Sequence, residues 1–199
     1  MHLSEGILSA PVVAGSLLVS GLLVIATVRR LNERTIPLAA MLGCVFFALG
    51  TIHVPVGPGS VHLILNGLLG VLLGWTALPV IALALVLQAA LFGFGGFAVW
   101  GANLLIMGLP AVAAYYLARP WRETRPLLAG AVAATAGVSG AAFMAAILLY
   151  LSGGHLFAKA ITTLFVFHLP IVAIEAVVTA LCLRGLQQLR PDVFALLRS

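Results

Sequence analysis

The sequence is short of charge. Asp, Glu, Lys and Arg make up only 8% of its 199 residues. A soluble domain carries about 25% charged residues, so water could not solvate the surface of this chain. With 63% hydrophobic residues and a mean hydropathy of +1.21, lipid is the expected solvent. We expect one integral membrane domain over residues 1–199.

Cysteine is scarce, and a basic segment at the N-terminus is lacking. Cys44 and Cys182 lie in apolar runs with no spacing that indicates a disulfide frame or a zinc site, and we interpret both as small apolar side chains. A signal peptide opens with positive charge. Here the first charge is Glu5, and the arginines follow the first apolar run. The run therefore predicts a retained membrane helix whose N-terminus is outside.

Seven apolar segments are candidates for membrane spans, since a spanning helix needs about 20 apolar residues and fewer where neighbours shield it. The third and fourth are short and share the tight break Gly74-Trp75-Thr76. The predicted fold is an all-α polytopic membrane protein with about seven transmembrane helices. The predicted spans are 9–28, 36–52, 61–75, 77–92, 99–118, 127–151 and 159–186.

The arginines predict the orientation. All nine follow the first or fifth span or lie at the end of the seventh, and only Lys159 falls on the opposite side. Because basic loops stay in the cytoplasm, this pattern predicts an outside N-terminus and a cytoplasmic C-terminus in the bacterial inner membrane. It also explains the net charge of +5 without a nucleic-acid surface. The arginines are Arg29, Arg30, Arg34, Arg119, Arg122, Arg125, Arg184, Arg190 and Arg198.

Small residues recur four apart in several spans, which lets helices approach closely. We interpret these pairs as packing within the chain, with docking of a partner membrane subunit as the alternative. The pairs are Gly70/Gly74, Ala129/Ala133 and Gly137/Ala141.

Met1-His2 is a candidate metal chelate. A histidine at position two offers three nitrogens in a row: the α-amine, the His2 amide and the His2 imidazole. A fourth nitrogen from elsewhere would complete a square, which suits Ni(II) or Cu(II), while imidazole also suits cobalt and zinc. The alternative is that His2 is a solvated terminal residue.

His62 is a candidate for the fourth nitrogen. It follows the loop Val54–Ser60, which two prolines and two glycines make rigid. We expect Ser60 to cap a helix that begins near Val61. His62 would then lie in its first turn, where burial keeps the imidazole neutral and able to bind metal. His53 is the competing ligand, and a hydrogen-bonded interfacial role for His62 stays open.

Other polar residues allow both functional and structural interpretations. Asn103 and Gln88 could accept the second N–H of a metal-bound imidazole, or could link helices by hydrogen bonds. His168 precedes Glu175 by seven residues, so both fall on one helix face; we prefer a polar contact between them that holds the last span in place. His155 follows two glycines and is interpreted as a loop histidine.

Several segments together resemble the substrate-binding component of cobalt and nickel energy-coupling-factor transporters, the CbiM/NikM family. They cover almost the whole chain in the family's order. The N-terminal and His62 motifs are the specific ones. The segments are Met1-His2-Leu3-Ser4-Glu5-Gly6-Ile7-Leu8, Val54-Pro55-Val56-Gly57-Pro58-Gly59-Ser60-Val61-His62-Leu63-Ile64, Gln88-Ala89-Ala90-Leu91-Phe92-Gly93, Gly101-Ala102-Asn103, His168-Leu169-Pro170 and Ile174-Glu175.

The resemblance implies seven helices and an outward-facing site for Ni²⁺ or Co²⁺ as transported substrate. It implies metal binding by the Met1 amine, the His2 amide and imidazole, and the His62 imidazole, which demotes His53. Asn103, Gln88 and Ser60 remain candidates for the outer partners of these ligands. It further implies a transmembrane coupling subunit, two ATP-binding cassette ATPase subunits and a small auxiliary membrane subunit as separate chains. The sequence has no Walker A pattern, in agreement with a chain that does not hydrolyse ATP.

The sequence departs from the family's pattern at three places. Ser4 stands where the family often has proline, and Leu65-Asn66 replaces a more typical Gly-Thr. Phe94 replaces a polar residue that could serve as an outer partner. Two other function classes stay open: an intramembrane metal-dependent enzyme and an assembly subunit that binds no metal. The enzyme would need a general base, there is no HExxH, and Glu175 is predicted to lie far from His62 on the cytoplasmic half of the last span.

Overall fold

A computed structural model describes residues 2–52, 54–56 and 59–196, and of residues 54–56, 59–61, 195 and 196 it describes the backbone alone. Regular structure in these ranges is helical apart from one short hairpin, β1 (Val54–Val56) antiparallel to β2 (Gly59–Val61). The helices are α1 (Ala10–Val28), α2 (Ile36–Thr51), α3 (Asn66–Leu73), α4 (Ala77–Phe92), α5 (Trp100–Ala118), α6 (Pro126–Gly153), α7 (Ala158–Leu189) and α8 (Pro191–Leu196).

The helices confirm the all-α membrane class. Six of the seven predicted spans match a helix to within three residues at each end. Four described stretches are long and apolar enough to cross a membrane, while α2, with 16 residues, is shorter. Apolar side chains such as Leu18, Leu22 and Leu83 are exposed on helix surfaces, as lipid contact requires. The four stretches are Ala10–Val28, Asn66–Phe92, Trp100–Trp121 and Pro126–Leu189.

The prediction for the third span is wrong. The segment 59–61 is a strand, residues 62–65 are irregular, and α3 begins only at Asn66. Ser60 therefore caps no helix, and His62 lies in no helical turn. With eight residues α3 is about 12 Å long, too short to cross a hydrocarbon core of about 30 Å. The predicted break after it is confirmed: Gly74–Thr76 is a 3₁₀ turn that begins at Gly74 with φ +57°.

α3 lies at the centre of the helix bundle, with every residue from Asn66 to Leu73 buried. A Cβ on Gly70 would collide with the backbone of Ala111 in α5, and one on Gly67 with the backbone of Ala133 in α6. The Asn66 amide donates to the carbonyls of Met107 and Gly137, both at 3.0 Å. The predicted packing role of the small residues is thus confirmed within this chain at Gly70, Ala133 and Gly137.

The basic loops gather at one end of the bundle. The Arg30 guanidinium lies 5.5 Å from the Trp75 ring centre, and Arg122 Nη1 donates to the Val71 carbonyl at 3.3 Å. The Arg122 guanidinium is also 5.9 Å from the Phe194 ring. Two surface pockets at this end each bring together two arginines, Arg34 with Arg190 and Arg125 with Arg184. α1, about 28 Å long, leads from the N-terminal segment to this end.

Candidate metal centre

The N-terminal segment folds against the loop between α4 and α5. Asn103 of α5 makes a reciprocal pair with the main chain of Leu3: the Leu3 N–H donates to Oδ1 at 2.8 Å, and Nδ2 donates to the Leu3 carbonyl at 3.0 Å. The Glu5 N–H donates to the Gly95 carbonyl at 3.2 Å, and Glu5 Oε1 accepts from the Ala98 N–H at 2.9 Å. These bonds fix the position of His2 beside α4 and α5.

The loop glycine Gly95 makes this close approach possible. Its φ of +75° favours glycine, and a Cβ there would stand 2.7 Å from Asn103 Nδ2. A side chain at this position would therefore disturb the bonds between Asn103 and Leu3.

The His2 imidazole has a defined tautomer. Gln88 Nε2 donates to the Phe47 carbonyl at 3.2 Å, which orients Gln88 Oε1 as the acceptor for His2 Nε2 at 2.9 Å. The His2 proton then resides on Nε2, and Nδ1 carries the lone pair that can bind a metal ion. Of the three predicted outer partners, Gln88 thus contacts the imidazole and Asn103 holds the backbone next to it, while the side chain of Ser60 lies outside the described residues.

The His62 imidazole lies 5.1 Å from that of His2, centre to centre, at 31°. It is buried, and its Nδ1 lies 2.9 Å from the Leu63 carbonyl. Donation from Nδ1 leaves the lone pair on Nε2. The predicted burial of His62 is therefore confirmed, although the predicted helical turn is not.

His2 and His62 border a cavity of about 620 Å³, and sequence reasoning missed a third histidine on its wall, His168. His168 Nδ1 contacts the carbonyl of Leu164, one turn earlier in α7, at 2.7 Å. The Phe94 ring, 6.3 Å from that of His2, also borders the cavity. From the sequence, His168 is an ionisable residue within a span, which indicates a function, but the contact with Glu175 was preferred for it.

The position and the hydrogen bonds of Glu175 contradict two predictions. Its carboxyl group is fully buried and accepts hydrogen bonds from the backbone N–H groups of Ile64 and Leu65, the latter at 3.0–3.1 Å. It therefore lies beside the segment that carries His62, not far from it. The predicted polar contact between His168 and Glu175 is also wrong, because each bonds to backbone groups instead.

The segment that Glu175 binds has an unusual backbone. Leu65 adopts φ +52° and ψ +13°, the left-handed region that a residue with a side chain seldom occupies. Its N–H and that of Ile64 lie at the N-terminus of α3, where the helix dipole favours an anionic partner. The carboxylate of α7 thus holds the turn between His62 and α3.

Side chains alone do not complete a metal site. No three His, Cys, Asp or Glu side chains in ranges 2–52, 54–56 and 59–196 lie close enough to hold one ion together. Within these ranges, main-chain or terminal nitrogens would have to complete the ligand set. The predicted ligands Met1 and His53 lie outside the described residues, as does the side chain of Ser60. His155 lies in the 3₁₀ turn Gly154–Phe157, its ring 6.4 Å from that of Tyr150 rather than at the cavity.

Comparison with known proteins identifies the family. Residues 2–193 match the model of the CbiM family, the cobalt uptake substrate-specific transmembrane region. The chain belongs to the CbiM family. A putative metal transport protein of Haemophilus influenzae is 43% identical, with 97% of this chain and 96% of that protein covered. The fused nickel transport protein NikMN of Rhodobacter capsulatus is 34% identical over 84% of this chain and 55% of its own length.

The fold agrees with this assignment. The crystal structure of a truncated transition metal transporter superposes with a TM-score of 0.79 at 25% identity, covering 94% of this chain and 99% of that one. The relatives of this CbiM family member are thus named as transporters, which agrees with the predicted transporter class.

We expect Asn103→Ala to weaken metal binding about tenfold, the smallest loss usually seen when an outer partner of a metal site is removed. The substitution leaves the Leu3 N–H and carbonyl without their partner, so His2 loses its fixed position. Hydrogen exchange at Leu3 should accelerate in parallel. Both quantities are measured on the purified chain, by titration with Ni²⁺ and by mass spectrometry.

Asn32→Ala is the matched control, because the Asn32 side chain bonds only within the exposed turn 32–35. It should leave affinity and Leu3 exchange unchanged. Equal behaviour of the two variants would show that Asn103 does not position the N-terminal segment.

Proposed function

We propose that this chain is the substrate-binding component of an ATP-driven energy-coupling-factor importer and captures Ni²⁺ or Co²⁺ on the extracytoplasmic side. The observation that carries the proposal is the meeting of His2 and His62, with ring centres 5.1 Å apart, beside one cavity. Each imidazole has one nitrogen directed to an acceptor, Gln88 or the Leu63 carbonyl, which places the lone pair on the other nitrogen.

The ligand set that we propose has four nitrogens. The Met1 amine, the His2 amide and His2 Nδ1 form a continuous chelate, and His62 Nε2 supplies the fourth corner. A planar nitrogen set suits Ni(II), and nitrogen ligands also accept cobalt. The bonds from Asn103 and Gly95 support the proposal, because they hold the segment that bears the chelate before any ion arrives.

We propose seven membrane crossings with the N-terminus outside and the C-terminus in the cytoplasm, the third made by the irregular residues 62–65 together with α3. The gathering of the arginine loops at one end of the bundle supports this orientation. The candidate metal centre is at the start of α1, and the first arginines follow the end of α1. The cavity therefore belongs to the outer part of the bundle.

The driving energy comes from partners in this proposal. A transmembrane coupling subunit and two ATPase subunits supply the motion, and a small auxiliary membrane subunit completes the assembly. The fused relative NikMN supports an auxiliary chain, because this chain matches only 55% of its length.

Glu175 is not placed to act as the general base that the enzyme alternative would need. Glu175 lies near His62, contrary to the prediction, but both of its carboxyl oxygens accept backbone N–H groups and its side chain is fully buried. It is therefore directed at the α3 turn instead of at the cavity. A general base must reach the proton that it removes.

The deciding experiment is elemental analysis of the purified full chain with and without one extra residue before Met1. Intact-mass measurement first establishes that Met1 is the first residue of the unextended protein. We expect one equivalent of nickel or cobalt in the unextended chain and at least a tenfold loss of affinity in the extended one, since the extension converts the amine into an amide.

Equal affinity in the two chains would remove the terminal amine from the ligand set and make His53 with His62 the pair to test. An unextended chain that binds neither ion would contradict the proposed function. If the chain is an assembly subunit, it should bind neither ion. Cells that carry its His2→Ala variant should then grow as well as cells with the unaltered chain when growth depends on the metal.

A further inference from the structure

A surface pocket of about 420 Å³ lies at the arginine end of the bundle, where the start of α6 meets the end of α7. The proposed function makes no use of it. Arg125, directly before α6, and Arg184, near the end of α7, both border the pocket and are exposed. Two cationic side chains on one concave surface favour an anionic occupant. The other lining residues are Pro126, Leu127, Leu128, Gln187 and Gln188.

Both guanidinium groups of this pocket are available to a ligand. Neither Arg125 nor Arg184 forms a side-chain hydrogen bond or an ion pair with any residue that the structure describes. The pocket that Arg34 shares with Arg190 differs, because the Arg190 guanidinium is paired with Asp192 by bonds of 2.8 and 3.0 Å. The pocket between α6 and α7 therefore keeps two positive charges that no described carboxylate neutralises.

The close packing of α6 on α7 sets the positions of the two arginines. A Cβ on Gly130 would stand 2.4 Å from the Cα of Ala180, so the helices touch at this point. Arg125 comes five residues before Gly130, and Arg184 comes four residues after Ala180. The short turn Gly154–Phe157 joins the helices, which run antiparallel. Both arginines therefore lie about 6–8 Å beyond the contact, on the same side of it.

An apolar track on the surface of α7 leads to the pocket. Ile174, Val177 and Leu181 are 49–60% exposed. Together with Arg184 they follow one another at steps of three and four residues, which places all four on one helix face. This face changes from apolar to cationic within one helical turn. Such a change is expected at the level of the membrane where acyl chains end and headgroups begin.

We propose that this pocket, the headgroup pocket, binds the phosphodiester headgroup of an anionic diacyl phospholipid of the phosphatidylglycerol class. The guanidinium groups of Arg125 and Arg184 donate to the phosphate oxygens, and an acyl chain lies along the apolar track. Basic pockets between helices at the cytoplasmic side of a membrane are typical sites for such lipids. The bound lipid bridges α6 and α7. The inference goes beyond the proposed function and does not depend on metal binding.

The test is a lipid titration of the purified full chain in detergent, followed by native mass spectrometry. The probes are dioleoyl phosphatidylglycerol and dioleoyl phosphatidylcholine, which have the same acyl chains and differ in charge. We expect one phosphatidylglycerol per chain, bound about tenfold or more tightly than phosphatidylcholine. The double variant Arg125→Gln with Arg184→Gln should lose this preference, while its weak binding of phosphatidylcholine stays unchanged.

A second double variant is the matched control. Arg29→Gln with Arg119→Gln removes the same charge from exposed arginines that do not border the pocket, and it should keep the preference. Leu181→Ser interrupts the apolar track and should weaken phosphatidylglycerol binding several-fold. Inorganic phosphate at millimolar concentration should not displace the lipid. Thermal unfolding of each variant checks that the fold is intact.

The outcomes separate the lipid from other occupants. Equal loss in the two double variants would show only general attraction to a basic surface and overturn the headgroup pocket. Displacement by inorganic phosphate, with no effect of Leu181→Ser, would show a free-phosphate site and overturn the lipid assignment. Unchanged lipid binding in the pocket variant also overturns it; lost co-purification with partner subunits would then assign the arginines to an acidic partner segment. Ni²⁺ binding should be equal in all variants, so failure here leaves the proposed function standing.

Discussion

Nickel binding by the His62→Ala variant is expected to be about 100-fold weaker than that of the unaltered chain, a difference of about 3 kcal/mol. In the proposed set His62 supplies one of four corners, and alanine leaves that corner to water. The imidazole is buried and held through Nδ1, so its nitrogen is positioned before the ion binds. The loss is measured by equilibrium titration with Ni²⁺, with Co²⁺ as the second ion.

Two other histidines provide the controls for this experiment. His155→Ala removes an imidazole that lies away from the cavity and should bind like the unaltered chain. His53→Ala tests the competing ligand and should also retain binding. Loss of binding in His53→Ala together with retention in His62→Ala would show that the assignment of the fourth nitrogen is wrong.

Glu175→Ala is expected to be the most damaging change outside the ligands themselves. It leaves the N–H groups of Ile64 and Leu65 buried without an acceptor, at about 1–3 kcal/mol each. The left-handed Leu65 turn then loses the partner that holds it, and His62, three residues before Leu65, loses its fixed position. We expect a fall in melting temperature and at least a tenfold loss of Ni²⁺ affinity.

The conservative variant separates positioning from simple loss of stability. Glu175→Gln keeps one oxygen acceptor, so it should recover part of the affinity. Thr179→Ala is the matched control on the same helix. Its hydroxyl is buried one turn further along α7 with no hydrogen-bond partner in the described part of the chain, so its removal should cost little. If Ni²⁺ affinity falls in proportion to melting temperature in all three variants, Glu175 has only a structural role.

Most of the fold was predictable because lipid imposes a simple rule on sequence. A helix in the membrane needs a continuous apolar run, and six such runs matched helices to within three residues. The third run was wrongly predicted as a helix from residue 61 onward. Residues 61–65 are as apolar as a helix requires, yet they form a strand end and an irregular turn. Hydropathy detects burial, and His62, Ile64 and Leu65 are buried inside protein, where irregular backbone is also tolerated.

The sequence by itself determined the membrane class, the placement of the arginine loops and the candidates His2 and His62, because composition and charge asymmetry are local properties of the chain. Only the tertiary structure decided that Glu175 binds the turn after His62 and that His168 borders the same cavity. More than 100 positions separate these two residues of α7 from His62. Their meeting depends on the packing of α3 between α5 and α6, where glycines allow close contact of the backbones, and no local pattern encodes that geometry.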